Sequence, residues 1–449
     1  MSISTIQRTA DDEMADRAHT FRDRVGTFLF VAIFLLFWIS LNPFVDLSGE
    51  AVLDQSARAS SALNQLVSLA LFFGMLGFGL LHPLRNTILQ PRALIGLIFA
   101  WMIVVSVTSK YPFQGIKGII LAVMVTANAS IFLLLPKTER HFAKLLGICC
   151  LIILSISYYG VLFKPSLAIH QASEVLETIN AGLWRGHFRH KNDAAVAMVV
   201  VALFGIFVMN VWSRTAGILI VSLAFLFLLN TGGKTSTAML PAVLVLAWIF
   251  EKARSLRIPV VIGGVGLFNL FAVGSAVFRP LGEFVTDLGI DATFTNRADV
   301  WRLTFSALAE HPFAGYGMKG FWQTSQLVNS GGSIETWAVA AAHAHNSYLD
   351  TILMMGIPGL ILTLIWVIVL PLYHISRIGP ADEHSHLTRL FVRIWLYVIF
   401  HAGLESLFFD GASPLWFTFL VAIYGLSLQT SAALTTGTYP GTQRTLAHA

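Results

Sequence analysis

Apolar residues in this chain come in long blocks separated by short polar joints. Twelve blocks stand out, near residues 26–44, 63–82, 93–109, 118–136, 145–163, 193–211, 215–230, 237–250, 258–277, 347–373, 388–408 and 413–430. A helix needs about 20 mostly apolar residues to cross the hydrocarbon of a bilayer. The pattern therefore predicts an all-α polytopic membrane protein with about twelve transmembrane helices. The seventh and eighth blocks are short, and only Thr231-Gly232-Gly233-Lys234-Thr235-Ser236 separates them, which predicts a tight hairpin. The first block is too long for a signal-peptide core and has no small-residue cleavage site, so it reads as a retained helix. This gives a polar tail over 1–25, a membrane domain over 26–430 and a second tail over 431–449. Two joints are longer than the rest, 164–192 and 278–346.

Composition agrees with the pattern. Hydrophobic residues make up 56% of the chain and charged residues 12%, with a mean hydropathy of +0.72. Soluble domains carry roughly 25% charged residues, so a soluble fold of this size could not cover its surface. The net charge of +5 is small and its basic residues are scattered, which argues against nucleic acid as a partner. The two cysteines, Cys149 and Cys150, are neighbours in an apolar block. Adjacent residues on a helix point in different directions, so they suggest neither a disulfide nor a metal cluster.

Charge decides the orientation. With alternating joints and an inner start, 17 of the 29 Lys and Arg residues fall inside and 12 outside. Positive residues favour the cytoplasmic side, so both termini are expected in the cytoplasm and the two long joints in the periplasm, across a bacterial inner membrane. The outer basic residues resist this bias. An anionic ligand on the outer face is one reason for such residues; solvated loop charge is the other.

Four stretches carry candidate chemistry. In Thr295-Asn296-Arg297-Ala298-Asp299-Val300-Trp301-Arg302, Asn296 reads as an N-cap and Val300, Leu303, Ala307 and Leu308 form an apolar stripe. This predicts a short amphipathic helix outside the bilayer, with Arg297 in the first turn. Backbone N–H groups unpaired there make an anion site, unless Arg297 simply pairs with Asp299 or another acid. In Ala341-Ala342-His343-Ala344-His345-Asn346-Ser347, His345 falls at the membrane boundary, on or just before a helix start. A neutral imidazole there can accept a proton. Asn346 either orients His345 or caps the helix, and Trp301 either stacks on a sugar or anchors its loop. His343 and His345 alone lack a third metal ligand at a typical spacing, so no metal is expected.

The third stretch is Gly182-Leu183-Trp184-Arg185-Gly186-His187-Phe188-Arg189-His190-Lys191-Asn192. It packs three basic residues beside aromatics, as a phosphate site or an interfacial anchor would. The fourth, Thr231–Ser236, mimics the end of a P-loop. The match fails because Leu228 stands where an earlier glycine is required, although a glycine-rich turn with Lys234 can still hold phosphate. No Asp-x-Asp is present for a metal-bound nucleotide sugar. A polyprenyl-diphosphate sugar needs no metal if basic side chains take the leaving charge.

Over roughly residues 60–430 the sequence resembles the O-antigen ligase/polymerase family, most closely its exopolysaccharide polymerase (ExoQ-like) branch. The likeness rests on Gly186–Asn192, Asn296–Trp301, His311-Pro312-Phe313-Ala314-Gly315-Tyr316-Gly317 and His345–Asp350. It implies a GT-C-like helical fold and a glycosyltransferase that needs no metal or cofactor. It implies that Arg297 binds the donor diphosphate and that His345 activates the acceptor hydroxyl. Lys234 stands where the family usually has a second, diphosphate-binding arginine; it keeps the charge and loses the bidentate fork. Arg189 and Lys191 would contact phosphates, with Arg185, Asn192, Trp301 and Asn346 in support.

The implied substrates are undecaprenyl-diphosphate-linked oligosaccharides, as donor and acceptor, beside membrane lipid and a chain-length regulator or co-polymerase. The implied reaction is inverting polymerisation of repeat units in exopolysaccharide or O-antigen synthesis. Two other readings stand beside it: a ligase that moves finished glycan to lipid A core or protein, and a polysaccharide or lipid transporter. Glu405 and Asp410, near the eleventh block, are the residues that favour a transporter.

Overall fold

The computed structural model describes residues 3–47, 62–174, 178–287, 297–328 and 337–431. The described residues are overwhelmingly helical. The first helices are α1 (Ile3–Ile39), α2 (Ala62–Leu80), α3 (Arg92–Val107), α4 (Pro112–Phe132), α5 (Glu139–Phe163) and α6 (Pro165–Ala168). Next come α7 (Lys191–Val211), α8 (Arg214–Asn230), α9 (Lys234–Lys252), α10 (Gly264–Val277), α11 (Arg279–Asp287) and α12 (Arg297–Glu310). The last are α13 (Ser325–Val328), α14 (Ser347–Leu364), α15 (Leu370–Arg377), α16 (Pro380–Glu383), α17 (His386–His401) and α18 (Pro414–Ser431).

Among the described residues, seven segments are long and apolar enough to cross a membrane: Leu63–Leu80, Pro112–Phe132, Glu139–Phe163, Lys191–Val211, Lys234–Lys252, Arg254–Val277 and Ser347–Arg377. Arg92–Val107, Arg214–Asn230 and Pro414–Thr430 are shorter apolar helices. The protein is thus an all-helical, polytopic membrane protein. The two remaining sequence blocks fall on α1 and α17. α1 begins at Ile3, so the polar tail and the block at 26–44 form one helix that stops at Ile39. α17 carries Arg389 and Arg393 and ends at His401, short of the predicted 408.

The chain divides into two compact units. The first comprises Met1–Ile88, Asn128–Ala238 and Ala432–Ala449; the second comprises Leu89–Ala127 and Met239–Ser431. In the first unit, α7 is apolar all round and buried from Ala194 to Gly205, as expected for a central helix of a bundle. Aromatic rings fill the space beside it: Phe30 stacks on Phe132 at 4.3 Å and Phe34 on Trp38 at 5.5 Å. Such pairs add to the burial of their area.

In the second unit, α12 packs against α10 and α14. Its inner face is Ala298, Val300, Trp301, Thr304 and Ala307, which includes Val300 and Ala307 of the predicted stripe and packs against protein. Asn296, the predicted N-cap, lies outside the described residues.

The segment after α12 explains the His311–Gly317 motif. α14 breaks at Gly356, whose φ is +67°, and the motif fills the break. Ile357 N donates to the Pro312 carbonyl (2.9 Å), Tyr316 N to Leu353 (2.8 Å) and Gly317 N to Met354 (3.0 Å). A Cβ on Gly356 would lie 2.0 Å from the Phe313 carbonyl oxygen, and one on Gly315 (φ +64°) 2.5 Å from that of Leu353. Both positions need glycine for the left-handed backbone and for the close approach. This splice fixes the C-terminal end of α12 onto α14, whose first turn carries the residues described next.

Candidate functional site

Three half-buried side chains of the second unit meet at the start of α12, ahead of α14 and just past α17. Arg297 donates through one Nη to Glu405 Oε1 at 2.6 Å and through the other to the Leu404 carbonyl. His345 Nδ1 meets Glu405 Oε2 at 3.2 Å. An ionised carboxylate only accepts, so Nδ1 carries the proton and the basic lone pair sits on Nε2. The side chains of Arg297, Glu405 and His345 are 17%, 16% and 22% exposed, so each keeps some contact with solvent. Burial alone would push the Glu405 carboxyl up. The charge of Arg297 and the hydrogen bond from His345 outweigh it and hold the group well below the usual carboxylate range.

The backbone around His345 is strained and heavily tied. His345 has φ +51°, a left-handed conformation that costs a non-glycine residue roughly 1–2 kcal/mol. Asp350, one turn into α14, holds the segment: its carboxylate accepts from Ala344 N (3.0 Å), Trp322 Nε1 (2.7 Å) and Ser406 Oγ. Trp301, fully buried, donates from Nε1 to the Ala344 carbonyl (2.9 Å) and so anchors the loop.

Asn346 caps α14. Its Oδ1 accepts from Tyr348 N and Leu349 N (both 3.0 Å), while Nδ2 donates to Asn269 Oδ1 (2.8 Å) and to the Gly403 carbonyl (3.0 Å). Asn346→Ala removes the cap and strands two acceptors, Asn269 Oδ1 and the buried Gly403 carbonyl. It should lower stability by about 3 kcal/mol, read as a drop in the thermal unfolding midpoint of purified protein.

Residues 185–192 and 234 lie in the first unit. Arg185 is buried and donates to the carbonyls of Val45 (2.9 Å) and Phe188 (3.3 Å). His187 donates from Nε2 to the Trp38 carbonyl (2.9 Å), and burial lowers its pKa to about 4. Both therefore brace the loop. His170 donates to Glu174 (2.6 Å) and accepts from Lys191 N (3.1 Å), fixing the start of α7. At that start Lys191 Nζ reaches Asn192 Oδ1 at 3.4 Å. Arg189 is exposed, and so is Lys234 on the first turn of α9, after Gly232 at φ +63°.

Residues 217–364 match the family model described as O-antigen ligase, Wzy_C. This stretch is similar to the O-antigen ligase/polymerase family. No curated relative matches it. The O-antigen ligase match spans Lys234, Arg297, Trp301, His345 and Asn346, and the family acts on lipid-linked oligosaccharides as membrane glycosyltransferase-like enzymes.

The candidate site includes groups that sequence reasoning missed. Glu405 was read only as an acid near a span end, and Asp350 only as part of a motif. Nothing local marks Glu405, because its partners are 60 and 108 residues away. The structure also corrects the metal argument. Glu405 is a third donor beside His343 and His345, with all three donor atoms within 4.8 Å of one another. Hydrogen bonds in the cluster compete with a metal cation. Arg297 already holds one Glu405 oxygen, and His343 Nδ1 accepts the His345 N–H at 3.2 Å. Burial first, then the neighbouring His345, pushes the pKa of His343 down. A divalent ion here would face a guanidinium across a low-dielectric gap.

Proposed function

We propose that this protein polymerises oligosaccharide repeat units carried on undecaprenyl diphosphate, at the periplasmic face of a bacterial inner membrane, by inverting glycosyl transfer without a metal. The observation that carries the reading is the single carboxylate of Glu405 bonded to both Arg297 and His345. A cation and an oriented imidazole side by side suit a substrate with a diphosphate leaving group and an alcohol nucleophile.

Two of the five guanidinium N–H donors of Arg297 are engaged, which leaves others for the donor diphosphate. His345 Nε2 takes the proton of a hydroxyl on a second lipid-linked saccharide. The oxygen attacks the anomeric carbon in line, the bond to the diphosphate oxygen breaks, and undecaprenyl diphosphate leaves with its charge matched by Arg297. No acid is required for so good a leaving group. Arg189, Lys191 and Lys234 are proposed phosphate contacts within their own unit, with Asn192 supporting Lys191. Twelve spans with both termini in the cytoplasm complete the proposed topology.

The likeness of Gly186–Asn192 to the exopolysaccharide polymerase branch favours a polymerase over a ligase. Glu405, one of the two acids that favoured a transporter, is paired with Arg297. A deletion strain decides between polymerase and ligase. Accumulation of single repeats on the lipid carrier supports polymerisation; long glycan left unattached would mean ligation. With purified protein, excess EDTA is expected to leave the rate unchanged, and restoration by added divalent metal would overturn the metal-free reading.

A further inference from the structure

We propose that Glu405 is a positioning residue shared between donor and base, and that the donor diphosphate, by taking Arg297, releases the Glu405 carboxylate to His345. The inference rests on the proposed reaction at this site and adds an order to it: the base is primed only when the donor is loaded.

The geometry is asymmetric. The contact with Arg297 is 2.6 Å and the contact with His345 is 3.2 Å. Charge-assisted N–H to carboxylate bonds usually run about 2.7–2.9 Å, so the carboxylate leans towards the guanidinium and holds the imidazole loosely. The Glu405 backbone is fixed independently of that choice. Its N–H donates to the His401 carbonyl (3.0 Å) and its own carbonyl accepts from Ser347 Oγ (2.7 Å). Only the side chain has to turn. The loop carrying His345 is fixed independently too, through Asp350, Trp301 and Asn346. Losing the Glu405 charge therefore leaves the scaffold in place.

Without donor, one positive and one negative charge balance at the site. A diphosphate brings new negative charge to Arg297. The carboxylate then loses its preferred partner, and its nearest remaining donor is His345 Nδ1–H. A closer carboxylate stabilises the imidazolium that forms as the acceptor proton arrives. The charged and titratable groups around His345 are Arg297 from α12, His343 from the same loop, Asp350 from α14, and His401 and Glu405 from the end of α17. Of these, Asp350 is occupied by Ala344, Trp322 and Ser406. Glu405 is the acid placed to respond.

The test uses the full chain in lipid nanodiscs with a lipid-diphosphate-linked donor. In the unaltered protein, the acid limb of kcat reports the donor-bound site and that of kcat/KM the free site. The proposal expects the kcat limb at higher pH, by about one pH unit, because the primed base holds its proton more tightly. Coincident limbs overturn it. Glu405→Gln keeps an acceptor for Nδ1–H and loses the charge. It should lower kcat about 10²-fold, leave the donor KM unchanged or reduced, and pull the two limbs together; Glu405→Asp should restore part of kcat. A raised donor KM with unchanged kcat, or limbs as far apart as before, would sink the proposal. The two ideas fail differently. Normal turnover in His345→Ala would remove the reaction itself, whereas a silent Glu405→Gln beside inactive His345→Ala would remove only the coupling.

Discussion

His345→Ala should reduce glycosyl transfer about 10³-fold, within the range of about 10² to 10⁴ that a positioned general base supplies, with the donor KM close to that of the unaltered protein. The reasoning is local. His345 has a basic nitrogen with its tautomer set by Glu405, a left-handed backbone held by Asp350 and Trp301, and partial access to solvent. Alanine removes the proton acceptor. It leaves Arg297 with its carboxylate, so donor binding has no reason to weaken. Initial rates against donor concentration separate the two parameters. A loss confined to KM would mean that His345 binds rather than reacts. His345→Gln gives a second reading: it keeps a polar side chain but has no basic nitrogen, so it should be as inactive as alanine.

Arg297→Ala has a larger structural effect. Removing the guanidinium leaves Glu405, 16% exposed, without its main counter-charge, and uncompensated charges of this kind cost about 3 kcal/mol. The thermal midpoint should fall, and the donor KM should rise about 10- to 100-fold from the loss of charge-assisted hydrogen bonds to the diphosphate. The double variant Arg297→Ala/Glu405→Gln separates the two effects. It should regain most of the stability, because no charge is stranded, and none of the donor affinity. If both recover, Arg297 is only a structural partner of Glu405.

The direction of the Glu405 shift also fixes a pH dependence. Its folded-state carboxyl lies below its ordinary 4.5. The stability it contributes is therefore fully present above that value and is lost only as pH falls through the depressed one. An acid limb of activity at milder pH cannot come from protonating Glu405.

The sequence made some of this legible and hid the rest for physical reasons. Blocks of apolar residues mark helices because length and hydropathy are local properties, and α2, α7, α8 and α18 begin and end close to their sequence limits. The α1 boundary was misplaced because a charged helix continues an apolar one without a break in backbone geometry. His345, Asn346 and Trp301 could be picked out because each sits beside a helix start or in a short motif. The acid that organises them could not. Glu405 is defined by contacts across 60 and 108 residues, and an isolated glutamate past a span end looks the same whether it is an orphan or a hub. Arg185, a basic residue among aromatics, is buried and holds two backbone carbonyls, contacts that no local sequence signal shows.

The central claim is that Arg297 and His345 together move a glycan from a lipid diphosphate to an alcohol. The most direct measurement is a single-turnover assay with purified full-length protein, a lipid-diphosphate-linked repeat unit and EDTA, following released undecaprenyl diphosphate and lengthened lipid-linked glycan in step. The account predicts equal amounts of both from the unaltered chain and neither from His345→Ala. Release and elongation at the unaltered rate in His345→Ala would contradict it.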